Sequence, residues 1–201
     1  MSFVTRRFAV GGALAVSSIA LGVSGVTASP VDQKITGVVP PLRQPKTMAC
    51  WATAATMMHS WKKNQSISIE AALSEIDPNY LEIFEINKGL ISNNKPGFLL
   101  SAGLRSEAPQ NYTTQGWANL IRRHGPLWVT TAEGQNFSIH ARVMTAIFGD
   151  GTGNGTTVVI IDPADGAVHT EKLSIFDQKF EAVARQDLGN CGELRPQVVH
   201  Y

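Results

Sequence analysis

The chain is 201 residues long, carries a formal net charge of +1, and is 16% charged and 43% hydrophobic. That charge gives no electrostatic pull towards nucleic acid or an anionic membrane, and the length suits one domain with a substantial core. Beyond residue 28 there is no apolar run long enough to span a bilayer, no internal repeat and no low-complexity tract.

Residues 1–7 are short and basic, and residues 8–26 form a weakly apolar run of Ala, Gly, Val, Ser and Leu. Val26, Thr27 and Ala28 then make a small-residue cleavage pattern. This is the layout of a secretory signal peptide, so residues 1–28 are expected to be removed, leaving residues 29–201 as the mature domain. Thr5, Arg6, Arg7 and Phe8 also follow the twin-arginine export pattern, and the export route stays open between the two. The expected location is periplasmic or extracellular, with no membrane attachment once the signal is gone. In such a compartment the two cysteines, Cys50 and Cys191, are candidates for a disulfide. That bond would disarm Cys50; a free, reactive thiol is the competing reading.

Residues 29–43 read as an extended lead-in, broken by Gly37, Pro40 and Pro41. Ala54, Met57, Met58 and Trp61 recur at helical spacing, which predicts a helix from about Met48, ended by Lys62, Lys63 and a capping Asn64. Ser68 is placed to cap a second helix. Pro78 interrupts it, and Tyr80, Leu81, Ile83, Phe84 and Ile86 give a third, closed by Lys88 and Gly89. Residues 91–111 read as a long loop around a short apolar piece, 98–104, of the kind that lines clefts. Thr113 and Thr114 open a helix containing Trp117, Leu120 and Ile121, which stops at His124, Gly125 and Pro126. From there the pattern turns extended. Strands are predicted over 127–131, 140–148, 156–161 and 167–173, the middle two joined by the Gly-rich turn 149–155. Helices first and antiparallel strands second make an α+β domain.

Cys50 falls in the first turn of its helix, where unpaired backbone N–H groups favour a thiolate. Gln44, six residues earlier, is close enough for its amide to face whatever Cys50 attacks, as an oxyanion hole requires. On its own such a cysteine is more often a small buried hydrophobe. The hairpin strengthens the chemical reading. His140 lies 11 residues before Gly151 and Asp162 lies 11 after it, so the two should sit nearly opposite each other at the open end of the strands. A carboxylate-oriented histidine is a competent base for a thiol. The other histidines fit less well: His59 faces away from Cys50, His124 suits a helix terminus, His169 has no carboxylate in an obvious pairing position, and His200 is at the chain end.

Gln44, the Cys50-Trp51 pair, His140 and the Asp162-Pro163 pair together resemble the papain-like cysteine proteases. Over residues 39–61 and 117–166 the chain is most similar to their compact bacterial branch, the AvrRpt2-type proteases. The resemblance implies a papain-like fold, with an N-terminal helical half carrying the Cys helix against a C-terminal antiparallel sheet. It implies Cys50 as nucleophile, His140 as general base and acid, Asp162 as the orienting residue, and Gln44 with the Cys50 backbone N–H as the oxyanion hole. Neither cofactor nor metal is implied, and the expected partner is a peptide or protein substrate. Met48 and Ala49 stand where plant papains usually carry a Cys and a small residue, which removes a structural disulfide. Two other functions remain open: an amidase or acyl transferase acting on cell-wall peptides with the same triad, and a secreted binding domain closed by a Cys50–Cys191 disulfide. Oligomeric state is not legible.

Overall fold

The structure, a computed structural model, describes residues 28–91, 93–134, 138–190 and 192–201. All but the last residue of the expected signal peptide, and Cys191, lie outside the described residues. In chain order the elements are β1 (Val31–Lys34), α1 (Cys50–Lys63), α2 (Ile69–Ile76), α3 (Pro78–Glu85), α4 (Lys95–Ser101), β2 (Arg105–Ser106) and α5 (Thr114–His124). They continue with β3 (Leu127–Glu133), β4 (Ser138–Gly149), β5 (Thr156–Asp162), β6 (Ala167–Lys172), α6 (Leu173–Asn190) and β7 (Val198–His200). This is an α+β fold in which Cys50 heads α1 in the helical N-terminal half and the C-terminal half forms an antiparallel sheet.

The helix ends follow the local chemistry. The Ser68 hydroxyl accepts from Ala71 N at 3.2 Å, and the Thr113 hydroxyl accepts from Gly116 N at 3.1 Å, each satisfying an orphan first-turn donor. Asn64 closes α1 in the left-handed region at φ 52°, which Asn tolerates. Trp51 to Met58 are all buried, so α1 is the spine of the core rather than a surface helix. Phe98 meets Trp51, Tyr80 and Trp128 edge-on, tying α4 to both α1 and the sheet.

The sheet runs in the order β2-β7-β3-β4-β5-β6, and β1 joins it along β4. The long β4 therefore pairs with β3 through its first half and with β1 through its last residues, while β5 lies along its other edge. Several parts differ from the sequence reading, including the short strand β2 inside the segment read as loop. Residues 95–101 are a helix, not loop, because Pro96 suits a first helical turn and Phe98 and Leu99 bury against the core. The lead-in contains strand β1. The segment after Leu173, which carried no expected element, forms the 18-residue α6 and the short β7.

The β4–β5 hairpin carries one irregularity that matters for the site. Gly149 pairs with Thr156 and Ala146 with Val159, but Met144 then pairs with Ile160 and Val143 with Ile161. A bulge at Thr145 has shifted the register by one. Residues opposite each other share a face, and each residue along a strand alternates faces. Continued past the bulge, the register sets Arg142 opposite Asp162, with His140 two residues on and on the same face. Without the extra residue Asp162 would oppose Val143, and His140 would project from the other face.

Candidate active site

Cys50 is the first residue of α1 and a free thiol. It is half-buried, with the His140 side chain and the backbone groups of Ala141 and Trp51 hydrogen-bonding to it. Burial pushes the thiol up. The His140 hydrogen bond, the two backbone groups and the charge of the ring outweigh that and hold it below the usual thiol value.

His140 Nε2 donates to Asp162 Oδ1 at 2.6 Å, and both side chains are largely buried. With Nε2 committed to the carboxylate, the other ring nitrogen is left for Cys50. Burial disfavours the charged ring, but its hydrogen bonds to Asp162 and Cys50 and the charges of both raise it from 6.5 to about 9. Asp162 is also penalised by burial. His140, the Ala164 N–H at 2.8 Å and the charge of Arg142 nevertheless keep its carboxyl below the ordinary range. The arrangement is a hydrogen-bonded line of thiol, imidazole and carboxylate in which charge separation is favoured.

Cys50 and His140 lie on the wall of a cleft of about 590 Å³, with Trp51, Leu90, Trp128 and Ile139 among its lining. A family model described as papain-like cysteine protease AvrRpt2 matches residues 33–181, from β1 into α6. The chain belongs to this family of papain-like cysteine proteases. A comparison with curated proteins gave no match. The protein is thus a cysteine peptidase with a papain-like fold, and its substrates are proteins or peptides.

The segment leading to the peptidase's thiol is clasped to the turn that carries Asp162. Gln44 N donates to Pro163 O at 2.7 Å. Gly166, at φ +72°, brings that turn so close to Arg43 that an added Cβ would stand 2.8 Å from the Arg43 backbone nitrogen. Only a glycine meets both demands there. The Gln44 side chain is turned onto its own loop, with Nε2 donating to Lys46 O at 3.0 Å and to Thr47 O at 3.2 Å. Its Oε1 is buried without a partner, and Gln44 is not among the residues that line the cleft.

The remaining histidines stand apart from the peptidase's cleft. His59 faces Glu75 at 3.3 Å. His169, for which the sequence suggested no carboxylate, bonds Asp165 at 2.8 Å across the short turn before β6; the pairing runs back along the chain rather than across the sheet. Among the described residues, Glu107, His124 and His200 have ligand-type atoms within 4.8 Å of one another. Both His200 nitrogens already face acceptors, Glu107 Oε1 and Tyr201 O, each at 2.9 Å. The two rings also stack at 3.7 Å, so their lone pairs do not converge on one ion. Among the cleft residues that sequence reasoning did not single out are Lys95, inside the segment read as a cleft-lining loop, Trp128, assigned only to a strand, and Gln186 and Arg195, in the unassigned C-terminal segment.

Proposed function

We propose that this chain is an exported thiol peptidase that cleaves peptide bonds through an acyl-enzyme on Cys50. The observation that carries the reading is the Cys50–His140–Asp162 hydrogen-bonded line on the wall of the cleft. The thiolate attacks the scissile carbonyl carbon, forming a C–S bond while the carbonyl oxygen takes up negative charge. His140 gives its proton to the leaving nitrogen as the C–N bond breaks. The neutral ring then takes a proton from water, whose oxygen adds to the thioester. Cys50 departs as thiolate beside a recharged imidazolium.

Two donors serve the oxyanion in this proposal. The Cys50 backbone N–H belongs to the first turn of α1, where N–H groups have no intrahelical acceptor. Gln44 Nε2 is held on its own loop by Lys46 O and Thr47 O, and in this proposal it leaves one of them to donate to the developing oxyanion. Export is supported by the leader pattern of residues 1–28 and by the start of β1 at Val31, just after the expected cleavage point. In this reading the peptidase works in the periplasm or outside the cell, on targets accessible there.

The test is acid-quenched intact mass spectrometry during turnover of a peptide library, with Cys50→Ala and Cys191→Ser alongside. The proposal expects a covalent acyl adduct mapped to Cys50 and peptide products bearing new carboxyl termini. It expects no turnover in Cys50→Ala and near-full turnover in Cys191→Ser. Products of amide exchange rather than hydrolysis would make the chain a transferase. Equal damage from both cysteine substitutions, with unfolding by reductant, would favour the disulfide-closed binding domain.

A further inference from the structure

The cleft that holds Cys50 and His140 also contains a group of charges that the chemistry above does not use. Lys95 and Arg195 both line it. Asp187, a buried carboxylate, is bound on both oxygens by Arg195. Its Oδ1 accepts from Arg195 Nη2 at 2.6 Å and Nε at 2.9 Å, and its Oδ2 accepts from Arg195 N at 3.0 Å and Nε at 2.9 Å. Lys95 Nζ donates to the Pro196 carbonyl at 2.9 Å and lies 5.4 Å from the centroid of the Trp128 ring. A carbonyl and a ring face hold an ammonium in place but do not neutralise it. Burial and the nearby Arg195 push Lys95 down to about 8, against the pull of Asp187, so at neutral pH it is still mostly charged.

The charges that act on Lys95 are thus Arg195, which repels it, and Asp187, which attracts it but is bound by Arg195, so the two cations share one carboxylate. The same cleft wall offers polar atoms without partners: the Thr130 hydroxyl, Trp128 Nε1 and Gln186 Oε1 are buried and unbonded. Unpaired buried polar atoms beside an uncompensated ammonium are costly in a finished core, and they suit a surface completed by a ligand. Leu90, Ile91 and Ile139 supply apolar lining suited to a short aliphatic stem.

We propose that the Lys95–Arg195 part of the cleft is a side-chain subsite selecting a glutamate of the peptide substrate near the scissile bond. The glutamate carboxylate pairs with the Lys95 ammonium, takes a second hydrogen bond from the Thr130 hydroxyl, and supplies the missing negative charge. Its methylenes lie on the apolar lining. This inference rests on the peptidase reading of Cys50.

The experiment uses fluorogenic peptides that carry Glu, Gln, Ala or Lys at each position around the cleaved bond in turn. They are assayed with wild type, Cys50→Ala, Lys95→Gln and Lys95→Arg. At one position, wild type should prefer Glu over Gln by about 10–100-fold in kcat/KM, as expected for a partly desolvated charge pair. Lys should be the poorest at that position. The Glu:Gln ratio should fall to about one in Lys95→Gln and persist in Lys95→Arg. Cys50-dependent cleavage with no Glu preference at any position would overturn the subsite and leave the peptidase reading standing. So would a preference that survives Lys95→Gln. If Lys95→Gln fails to fold, the wild-type preference and its retention in Lys95→Arg decide the matter. Absence of Cys50-dependent cleavage of any peptide would remove both readings together.

Discussion

Replacing Asp162 by Asn keeps the shape of the orienting residue and removes its charge. The His140 ring holds its proton to about 9 rather than 6.5. At ~1.4 kcal/mol per pH unit that is about 3.4 kcal/mol in favour of the charged ring, shared between Asp162 and Cys50. A hydrogen bond to a charged partner exceeds a neutral one by about 1–1.5 kcal/mol, so Asp162→Asn should lower the ring by about one pH unit. The assay is kcat/KM against pH. Its alkaline limb reports loss of the imidazolium and should move down by about that unit, while the limbs belong to the coupled thiol–imidazole pair rather than to either group. The same interaction makes folding pH-dependent. His140 binds its proton more tightly folded than unfolded, so its stabilisation is complete below about 6.5 and lost as pH rises through about 9. The Asp162 carboxyl is held low, so its contribution is present above the ordinary carboxylate value and lost as pH falls. The lowered Cys50 thiol acts in the opposite sense, gaining stability as pH rises towards its ordinary value, and so offsets the alkaline loss from His140. Melting temperature should therefore fall mainly towards acid pH, and fall less in Asp162→Asn. An alkaline limb and a melting profile identical to wild type would refute this account of how Asp162 acts.

Two further substitutions test the frame around the thiol. Gln44→Ala should melt close to wild type yet lose about 10²–10³ in kcat, the usual cost of one oxyanion donor; unchanged turnover would remove Gln44 from the site. Gly166→Ala forces a Cβ against the Arg43 backbone at a positive φ. It should cost about 1–3 kcal/mol of stability in chemical denaturation, and an unaffected midpoint would show that the clasp between the Asp162 turn and the Gln44 segment is loose.

Much of this site could be read from residue types because it is assembled from local signals. The helix start at Cys50, the Asn64 cap and the Gly-rich turn at 149–155 each announce themselves within a few residues. Counting outward from Gly151 brought His140 and Asp162 together, although the exact register depends on the Thr145 bulge, which has no distinctive sequence signature. The Gln44 side chain shows the limit of spacing: its distance from Cys50 is local, but the rotamer that turns it onto Lys46 O and Thr47 O is set by loop geometry. Helix α6 did leave a trace, since Leu173, Phe176, Phe180 and Val183 recur at helical spacing and are buried. The run was obscured by the strand that flows directly into it. Lys95 and Arg195 could not have been placed together from sequence, because they meet only through tertiary packing across a hundred residues.

The central claim is that His140 activates Cys50, and the rate of iodoacetamide alkylation at Cys50 against pH tests it most directly. Peptide mapping separates this site from Cys191. In wild type, alkylation should already be fast in the acid-to-neutral range, because the thiol lies below its usual value beside a charged ring. In His140→Ala the rate should fall and rise only at alkaline pH, as for an unassisted thiol near ~8.5 or above. Superimposable curves for the two proteins would mean that His140 is not the partner of Cys50, and the proposed mechanism would fall.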